Sequence, residues 1–224
     1  MHKNDNKLQF QMSQLREHYD KLARNHGYGP EAVQQSSLET QEQRLRLLAE
    51  SVRDPFATVL DFGCGTGHLY EVLKREQSFA GLYTGYDLSD ELLDLARSTH
   101  PDAAFEQRDV FVDGVGGIFD YVLISGVFNN QIGINWDFMT RVLETLFPFV
   151  KKCLAFNALS AYVDFKDSSL YYADPEQVFR FCKEKLSPAV NLRHDYEVKT
   201  GVLPFEFTIQ VTPSAHLPRK KKLD

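Results

Sequence analysis

The hydrophobic pattern divides the chain into a helical N-terminal part and a longer part in which strands and helices alternate. Up to residue 52, apolar residues recur at helical spacing, with a break where two glycines and a proline fall within 27–30. From Thr58 onward, short apolar runs alternate with amphipathic segments. This pattern predicts N-terminal helices that cover a strand–helix core.

Seven short apolar runs after Thr58 have the length and composition of strands. They are predicted at 58–62, 82–87, 104–107, 119–124, 152–157, 190–196 and 205–211. Most are separated by segments predicted as helices at 69–74, 90–97, 136–147 and 175–186. Strand–helix–strand repeats predict an α/β fold with a mostly parallel sheet covered on both faces. The final strand pair has no helix between its members, so it is predicted to be antiparallel.

The length of 224 residues fits one α/β domain. We divide it into a helical cover over 1–54, a core over 55–213 and a basic tail over 214–224. The tail carries Arg219-Lys220-Lys221-Lys222, whereas the chain as a whole has a net charge of -6. We expect a solvated, disordered tail, and a contact with phosphate or with an acidic partner is the alternative.

The remaining composition indicates where the protein acts and on what. The acidic balance disfavours nucleic acid as a partner. The sequence has no signal peptide and no apolar run long enough to span a membrane. Its three cysteines, Cys64, Cys153 and Cys182, lack metal-binding spacing. We therefore expect a cytoplasmic monomer or homodimer with reduced thiols, no bound metal and no membrane contact.

Three glycines follow directly on the first predicted strand. Gly63, Gly65 and Gly67 form the pattern G-x-G-x-G, and glycine permits a sharp turn and close approach of a ligand to the main chain. The dinucleotide fingerprint G-x-G-x-x-G requires another glycine where this chain has His68. The loop therefore predicts a nucleoside-containing ligand other than NAD.

Two acidic residues follow the next two predicted strands. Asp87 ends the second strand, where a carboxylate can accept both hydroxyls of a ribose. Asp109 follows the third strand, where it can accept the exocyclic amine of adenine. Leu88 or Val110 can then flank the adenine ring.

In this order, the motifs resemble those of the class I S-adenosylmethionine (SAM)-dependent methyltransferases. The segment 59–67 is similar to their first motif, 85–89 to their acidic second motif and 119–123 to their fourth-strand motif. The resemblance covers 55–160 well and implies a three-layer Rossmann-like sheet of seven strands with an antiparallel last strand. It implies that the methionine part of SAM lies along the loop, and that Asp87 binds the ribose and Asp109 the adenine. The implied cofactor-binding residues before the second strand are Asp61, Gly63, Cys64, Gly65 and Gly67.

A narrower resemblance connects the chain with bacterial methyltransferase-like proteins of unassigned acceptor. It depends on the segments 125–129, 156–157 and 194–196, and on Gln41 and Arg44, which match a Gln-x-x-Arg pair that precedes the first strand. The planar guanidinium of Arg44 suits the carboxylate of SAM, and an exposed helical arginine is the alternative.

The acceptor is expected beyond the carboxyl ends of the strands, where open α/β sheets bind ligands. Ser125 is predicted to contact the cofactor there, and Tyr19 of the helical cover to wall the same site. The predicted substrate pocket consists of Phe128, Asn129, Asn130, Asn157 and Tyr162. Core packing is the alternative for each aromatic residue. The candidate catalytic residues are Asn129 and His194, with His194 as a general base or, alternatively, as a solvated strand end.

These observations predict a SAM-dependent methyltransferase with a small-molecule acceptor. A methyltransferase acting on RNA or protein is the first alternative, and the basic tail is its support. A non-catalytic SAM-binding protein is the second alternative, because fold does not imply function. An NAD-dependent oxidoreductase is disfavoured by His68 and by the missing Tyr-x-x-x-Lys pattern.

Overall fold

The computed structural model describes residues 3–34, 37–199, 201–202 and 204–214. Two helices come first, α1 (Lys3–His26) and α2 (Leu38–Ala49), with a 3₁₀ turn at Pro30–Val33 between them. The basic cluster at 219–222, on which the tail prediction depends, lies outside the described residues.

Seven strands form one sheet in the order β3-β2-β1-β4-β5-β7-β6. Their bounds are β1 (Thr58–Phe62), β2 (Leu82–Asp87), β3 (Ala104–Gln107), β4 (Phe119–Ile124), β5 (Val150–Leu159), β6 (Ala189–Arg193) and β7 (Glu206–Thr212). β1 to β5 are parallel, and β7 is antiparallel to both β5 and β6. The predicted fold class, with its antiparallel last strand, is confirmed.

Four further helices separate the strands. They are α3 (His68–Gln77), α4 (Asp90–Thr99), α5 (Asn135–Leu146) and α6 (Pro175–Phe181), the last of which continues as a π turn at Cys182–Leu186. Ser89 caps α4 by accepting a hydrogen bond from the Leu92 N–H, and Asp174 caps α6 in the same way.

Two strands end two or three residues from their predicted ends. β5 continues past Asn157 to Leu159, because the buried Asn157 side chain is hydrogen-bonded within the fold and does not stop the ladder. β6 ends at Arg193, whose pairing with Thr208 is the last of the ladder, so His194 follows the strand.

Alternating residues of each strand face different helices, which gives the fold three layers. Tyr121 and Leu123 of β4 pack in a core with α2, α3 and α4. Val122 and Ile124 pack in the opposite core with α5 and α6. Residues of α1 also pack in this second core, so the N-terminal helix shares the core of the sheet.

The strand order reverses between β1 and β4, which lie side by side although β2 and β3 come between them in sequence. Such a switch point leaves a crevice outside the carboxyl ends of the two strands. α1 and α2 supply residues to the wall of this crevice. No helix in the described part of the chain has the length and apolarity to cross a membrane.

Candidate active site

The loop after β1 has a backbone conformation that requires glycine. Gly63, Gly65 and Gly67 all have positive φ angles, of +73°, +55° and +80°. A Cβ atom on Gly63 would lie 2.3 Å from Cγ2 of Val127, and one on Gly65 would lie 2.7 Å from Cγ1 of Val33. The loop therefore needs glycine for its dihedral angles and also for the space that its neighbours leave.

Asp87 lies at the end of β2, and its carboxylate is bound to this loop. One carboxylate oxygen accepts the Gly65 N–H at 2.9 Å, and the other accepts the Ser89 N–H at 2.9 Å. Burial raises the pKa of the Asp87 carboxyl, and the two backbone hydrogen bonds oppose this shift. The carboxylate is thus oriented before any ligand binds.

Asp61 is the other carboxyl group beneath the loop. The Tyr83 hydroxyl donates a hydrogen bond of 2.6 Å to it. Burial raises the pKa of Asp61 to about 7, and the bond from Tyr83 opposes the shift. Asp61 therefore titrates in a pH range where exposed carboxyl groups are fully ionised.

Asp109, the acidic residue after β3, accepts hydrogen bonds from two N–H groups. Its carboxylate accepts the Phe111 N–H at 2.9 Å and the side-chain amide of Gln9, from α1, at 3.3 Å. The amide nitrogen of Gln9 is chemically similar to the exocyclic amine of adenine, since both donate N–H from an sp² nitrogen.

These groups line one cavity of about 1200 Å³, part of which is open to solvent. Its walls come from the loops after β1 to β4 and from α1 and α2. Predicted cofactor residues in this wall are Tyr19, Arg44, Asp61, Gly63, Cys64, Gly65, Asp87, Leu88, Asp109, Val110 and Ser125. Gly67 does not line it, because this residue is the N-cap of α3. We call this space the cofactor cavity.

A second cavity, of about 1560 Å³ and also open to solvent, adjoins the first. Its outer walls come from the segment 159–172 and from Gly201, Val202, Pro204 and Phe205. Five aromatic residues line this cavity: Tyr19, Tyr162, Phe165, Tyr172 and Phe205. Tyr162 and Phe165 are exposed, with 62% and 80% of their surface accessible. We call this space the acceptor cavity.

Five described residues line both cavities and form the junction between them: Tyr19, Val33, Arg44, Gly126 and Asn130. The Asn130 amide donates a 2.8 Å hydrogen bond to the Tyr19 hydroxyl. Burial raises the pKa of Tyr19 to about 12, so its hydroxyl keeps its proton at neutral pH. The junction thus joins α1 to the loop after β4.

Arg44 is buried at this junction and is not an exposed helical arginine. Its Nε donates to the carboxylate of Glu206, on β7, and the two side chains are 11% and 1% exposed. Burial raises the pKa of the Glu206 carboxyl, and the charge of Arg44 opposes the shift. The ion pair therefore connects α2 to the last strand of the sheet.

Three predicted site residues lie elsewhere. Phe128 is a core residue that packs edge-to-face on Phe138 and Phe156, so its prediction as a pocket wall was wrong. Asn157 is buried behind the junction, where it accepts the Gly126 N–H at 2.8 Å and holds the loop after β4. His194 lines neither cavity.

His194 packs between the rings of Tyr162 and Phe207, with centroid distances of 6.2 Å to each. Burial lowers its pKa. Asn129 and Asn130 line the acceptor cavity, and their role in acceptor binding stays a prediction. Within the described ranges, no group of three His, Cys, Asp or Glu side chains is placed to hold a metal ion.

Sequence reasoning missed the residues that distant segments bring to the site. Glu206, Val33 and Phe165 carry no motif, and their positions depend on the packing of α2, the 3₁₀ turn and the loop after β5. Gln9 on α1 is similarly unmarked, and only its contact with Asp109 identifies it.

Comparisons with known proteins agree with this geometry. A family model described as a methyltransferase domain matches residues 34–152. The protein Rv1506c of Mycobacterium tuberculosis, which carries a provisional methyltransferase name, is 33% identical over 168 residues, covering 70% of this chain and 93% of that protein.

Two solved structures share the fold. The magnesium protoporphyrin IX methyltransferase of Synechocystis, determined with bound SAM, aligns with a TM-score of 0.65 at 16% identity over 91% of this chain and 97% of that one. A SAM-dependent methyltransferase of Clostridium acetobutylicum aligns with a TM-score of 0.56 at 17% identity, over 90% and 98%. The predicted resemblance is confirmed: the chain belongs to the methyltransferase domain family, within the class I enzymes that use SAM as the methyl donor.

Proposed function

We propose that this protein methylates a small molecule that binds in the acceptor cavity, while SAM occupies the cofactor cavity. The observation that carries the proposal is the junction, where Tyr19, Arg44, Gly126 and Asn130 line both cavities. A donor in one cavity and an acceptor in the other can therefore meet without a large rearrangement of the sheet. The junction lies at the switch point of the sheet, where α/β folds bind ligands.

The residues of the cofactor cavity fit the parts of SAM. The Asp87 carboxylate, fixed by Gly65 and Ser89, would accept the ribose hydroxyls. Asp109 would accept the adenine amine in place of the Gln9 amide. The loop, whose three glycines carry no side chain, would lie along the methionine part.

Bound SAM supplies an electrophilic methyl group on a positively charged sulfur. The protein itself orients the two reactants and excludes water. Two contacts from α1 close the crevice for this purpose: Arg16 reaches Asp90 and Tyr19 reaches Asn130. The N-terminal helix is therefore proposed to act as the cover of the active site.

Calorimetric titration with SAM, its demethylated product S-adenosylhomocysteine and NAD tests the cofactor assignment. We expect SAM and the product to bind, NAD not to bind, and Asp87→Asn to weaken SAM binding about 100-fold, because two hydrogen bonds to a charged carboxylate are lost. Asp94→Asn is the matched control, since Asp94 is an exposed carboxylate on α4. Equal SAM affinity in the Asp87 and Asp94 variants would sink the ribose assignment.

A further inference from the structure

We infer that the acceptor presents a carboxylate to the methyl group, so that the product is a methyl ester. The inference depends on the proposed function, because it concerns the acceptor of the same site. It follows from which chemical groups line the junction between the two cavities.

The described residues of the junction offer hydrogen-bond donors and no general base. Arg44 is a permanent cation, and Tyr19 remains a neutral phenol because its pKa is raised to about 12. Asn130 uses its amide N–H to bind Tyr19, and the N–H of Gly126 is bound to Asn157. None of these groups can remove a proton from a neutral nucleophile at physiological pH.

Basic groups lie in other places. Asp61 lines the cofactor cavity and is bound to Tyr83. Asp87, Asp109 and His68 also line only that cavity, and Asp87 is bound to Gly65 and Ser89. Asp164 lines the acceptor cavity and is exposed to solvent. His194 lines neither cavity. The nucleophile is therefore expected to arrive already deprotonated.

A carboxylate meets this requirement, whereas a phenol or an alkylamine does not. Carboxylic acids ionise near pH 4, but the pKa of a phenol or of an alkylammonium group is about 10. The donors of the junction also match a carboxylate. The Arg44 guanidinium, which this inference assigns to the acceptor instead of the carboxylate of SAM, pairs with a planar pair of oxygens. The Tyr19 hydroxyl, which accepts from Asn130, can donate its own proton to an anionic oxygen.

Glu206 positions this recognition group. Its carboxylate binds Nε of Arg44 from β7, which fixes the plane of the guanidinium at the junction. The Arg44–Glu206 pair is close to neutral, so the positive charge of bound SAM is needed to balance the charge of the acceptor. We expect acceptor binding to require a cationic ligand in the cofactor cavity.

The transfer step balances without an added base. A lone pair of the carboxylate oxygen forms a C–O bond to the methyl carbon, while the C–S bond breaks and its electron pair stays on sulfur. The products are a neutral methyl ester and the neutral thioether S-adenosylhomocysteine, and no proton is released. Opposite charges are thereby neutralised in a partly buried site, which favours the reaction.

The aromatic wall indicates the chemical class of the acceptor molecule that bears the carboxylate. Tyr162, Phe165 and Tyr172 line the cavity outside the junction. Flat apolar groups bind well against such rings, which prefer offset or edge-to-face packing. The acceptor is thus expected to be an apolar, aromatic carboxylic acid.

Binding of 2-naphthoate, 2-naphthamide and 2-naphthol, which share one aromatic body, tests this inference. The protein is first saturated with sinefungin, a SAM analogue with an amine in place of the methylsulfonium, and each probe is titrated calorimetrically. We expect naphthoate to bind at least 10-fold more tightly than the two neutral probes. Equal or weaker binding of naphthoate, or no binding, would overturn the inference.

Variants test whether the preference for naphthoate over the neutral probes depends on the junction residues. Arg44→Gln is expected to remove the preference for naphthoate, and Tyr19→Phe to reduce it several-fold. Arg46→Gln, which removes the same charge from an exposed position on α2, should leave it unchanged.

If Arg44→Gln does not fold, Tyr19→Phe becomes the variant that tests the inference, because it removes only one oxygen atom. An unchanged preference in Tyr19→Phe would then overturn the inference. Failure of sinefungin itself to bind would instead refute the proposed function.

Discussion

The cofactor cavity and the acceptor cavity adjoin each other but are built from different kinds of residue. Asp61 in the first is buried and Asp87 is half-buried, and hydrogen bonds from Tyr83, Gly65 and Ser89 hold them in place. Aromatic rings in the second stand on loops, and Phe165 is 80% exposed. Cofactor recognition is therefore coupled to the stability of the fold, whereas acceptor recognition is largely independent of it.

This difference has a physical origin. A buried carboxylate without partners is strongly unfavourable, so its hydrogen bonds must form as the protein folds. An exposed ring on a loop has no such requirement, and its replacement changes stability little. Variation of the acceptor loops can thus change specificity while the cofactor site stays intact.

One of the two largest effects on stability is expected from the titration of Asp61. Its pKa is about 7 in the folded protein and near 3.8 in the unfolded chain, so between these values the folded state binds the proton more tightly. Its contribution is complete below pH 4 and is lost as the pH rises to 7. This amounts to about 4 kcal/mol at most. Urea denaturation at pH 4.5 and 7.5 should show a smaller decrease for Asp61→Asn than for the wild type. Identical decreases in the two proteins would contradict the assignment.

Glu206 binds Arg44, which lines both cavities, so replacing Glu206 should affect both the cofactor cavity and the acceptor cavity. Glu206→Ala leaves the cation of Arg44 buried without its carboxylate, and breaking such a pair costs about 3 to 5 kcal/mol. Urea denaturation measures this loss of stability. Arg193→Ala, which breaks an ion pair with the exposed Glu50, is the control and should cost less than about 1 kcal/mol. Equal losses would show that the Arg44–Glu206 pair behaves as a surface pair.

The next largest effect on stability is expected in the glycine loop, and it is confined to the cofactor cavity. Gly63→Ala places a Cβ atom against Val127 at a positive φ, with an expected cost of about 2 kcal/mol in stability. Adding Val127→Ala removes the contact but not the backbone strain, so it should restore only part of the loss. Thermal unfolding and SAM titration of the three proteins separate the two causes. Full recovery in the double variant would mean that the dihedral angle contributes nothing.

The smallest effect on stability is expected in the acceptor region. Phe165→Ala should change the free energy of unfolding by less than about 0.5 kcal/mol, because the ring is exposed. The affinity for naphthoate should nevertheless decrease several-fold, with SAM affinity unchanged. Phe56→Ala removes a ring of similar exposure that lines neither cavity and is the control. A loss of SAM affinity in Phe165→Ala would show that the two cavities are not independent.

Local sequence patterns predicted most of the residues that line the cofactor cavity. The three glycines must stand together in sequence because one turn of the backbone needs them, and Asp87 follows its strand directly. Parallel strands bring their carboxyl ends to one edge, so these short motifs come together without further information. The same rule placed Asp109 and Ser125 in the cofactor cavity.

The acceptor region shows where such reasoning fails. Phe128 and Tyr162 are both aromatic residues beside strand ends, yet one is a core residue and the other is exposed at a cavity. No periodicity distinguishes them, because the burial of a loop residue depends on which helix packs over it. His194 was separated from the site for the same reason, since β6 ends before it and Tyr162 lies against it.

By itself, the sequence determined the α/β class, the antiparallel last strand and the methyltransferase family, and it predicted the residues along the cofactor. Strand periodicity and contiguous turn motifs are local properties, and local properties can be recognised in one dimension. Only the tertiary structure decided that Gln9 of α1 binds Asp109, that Glu206 binds Arg44 and which described residues line both cavities. These contacts join residues 100 or more positions apart, as in Gln9 with Asp109 or Arg44 with Glu206, and such contacts arise only when the layers pack.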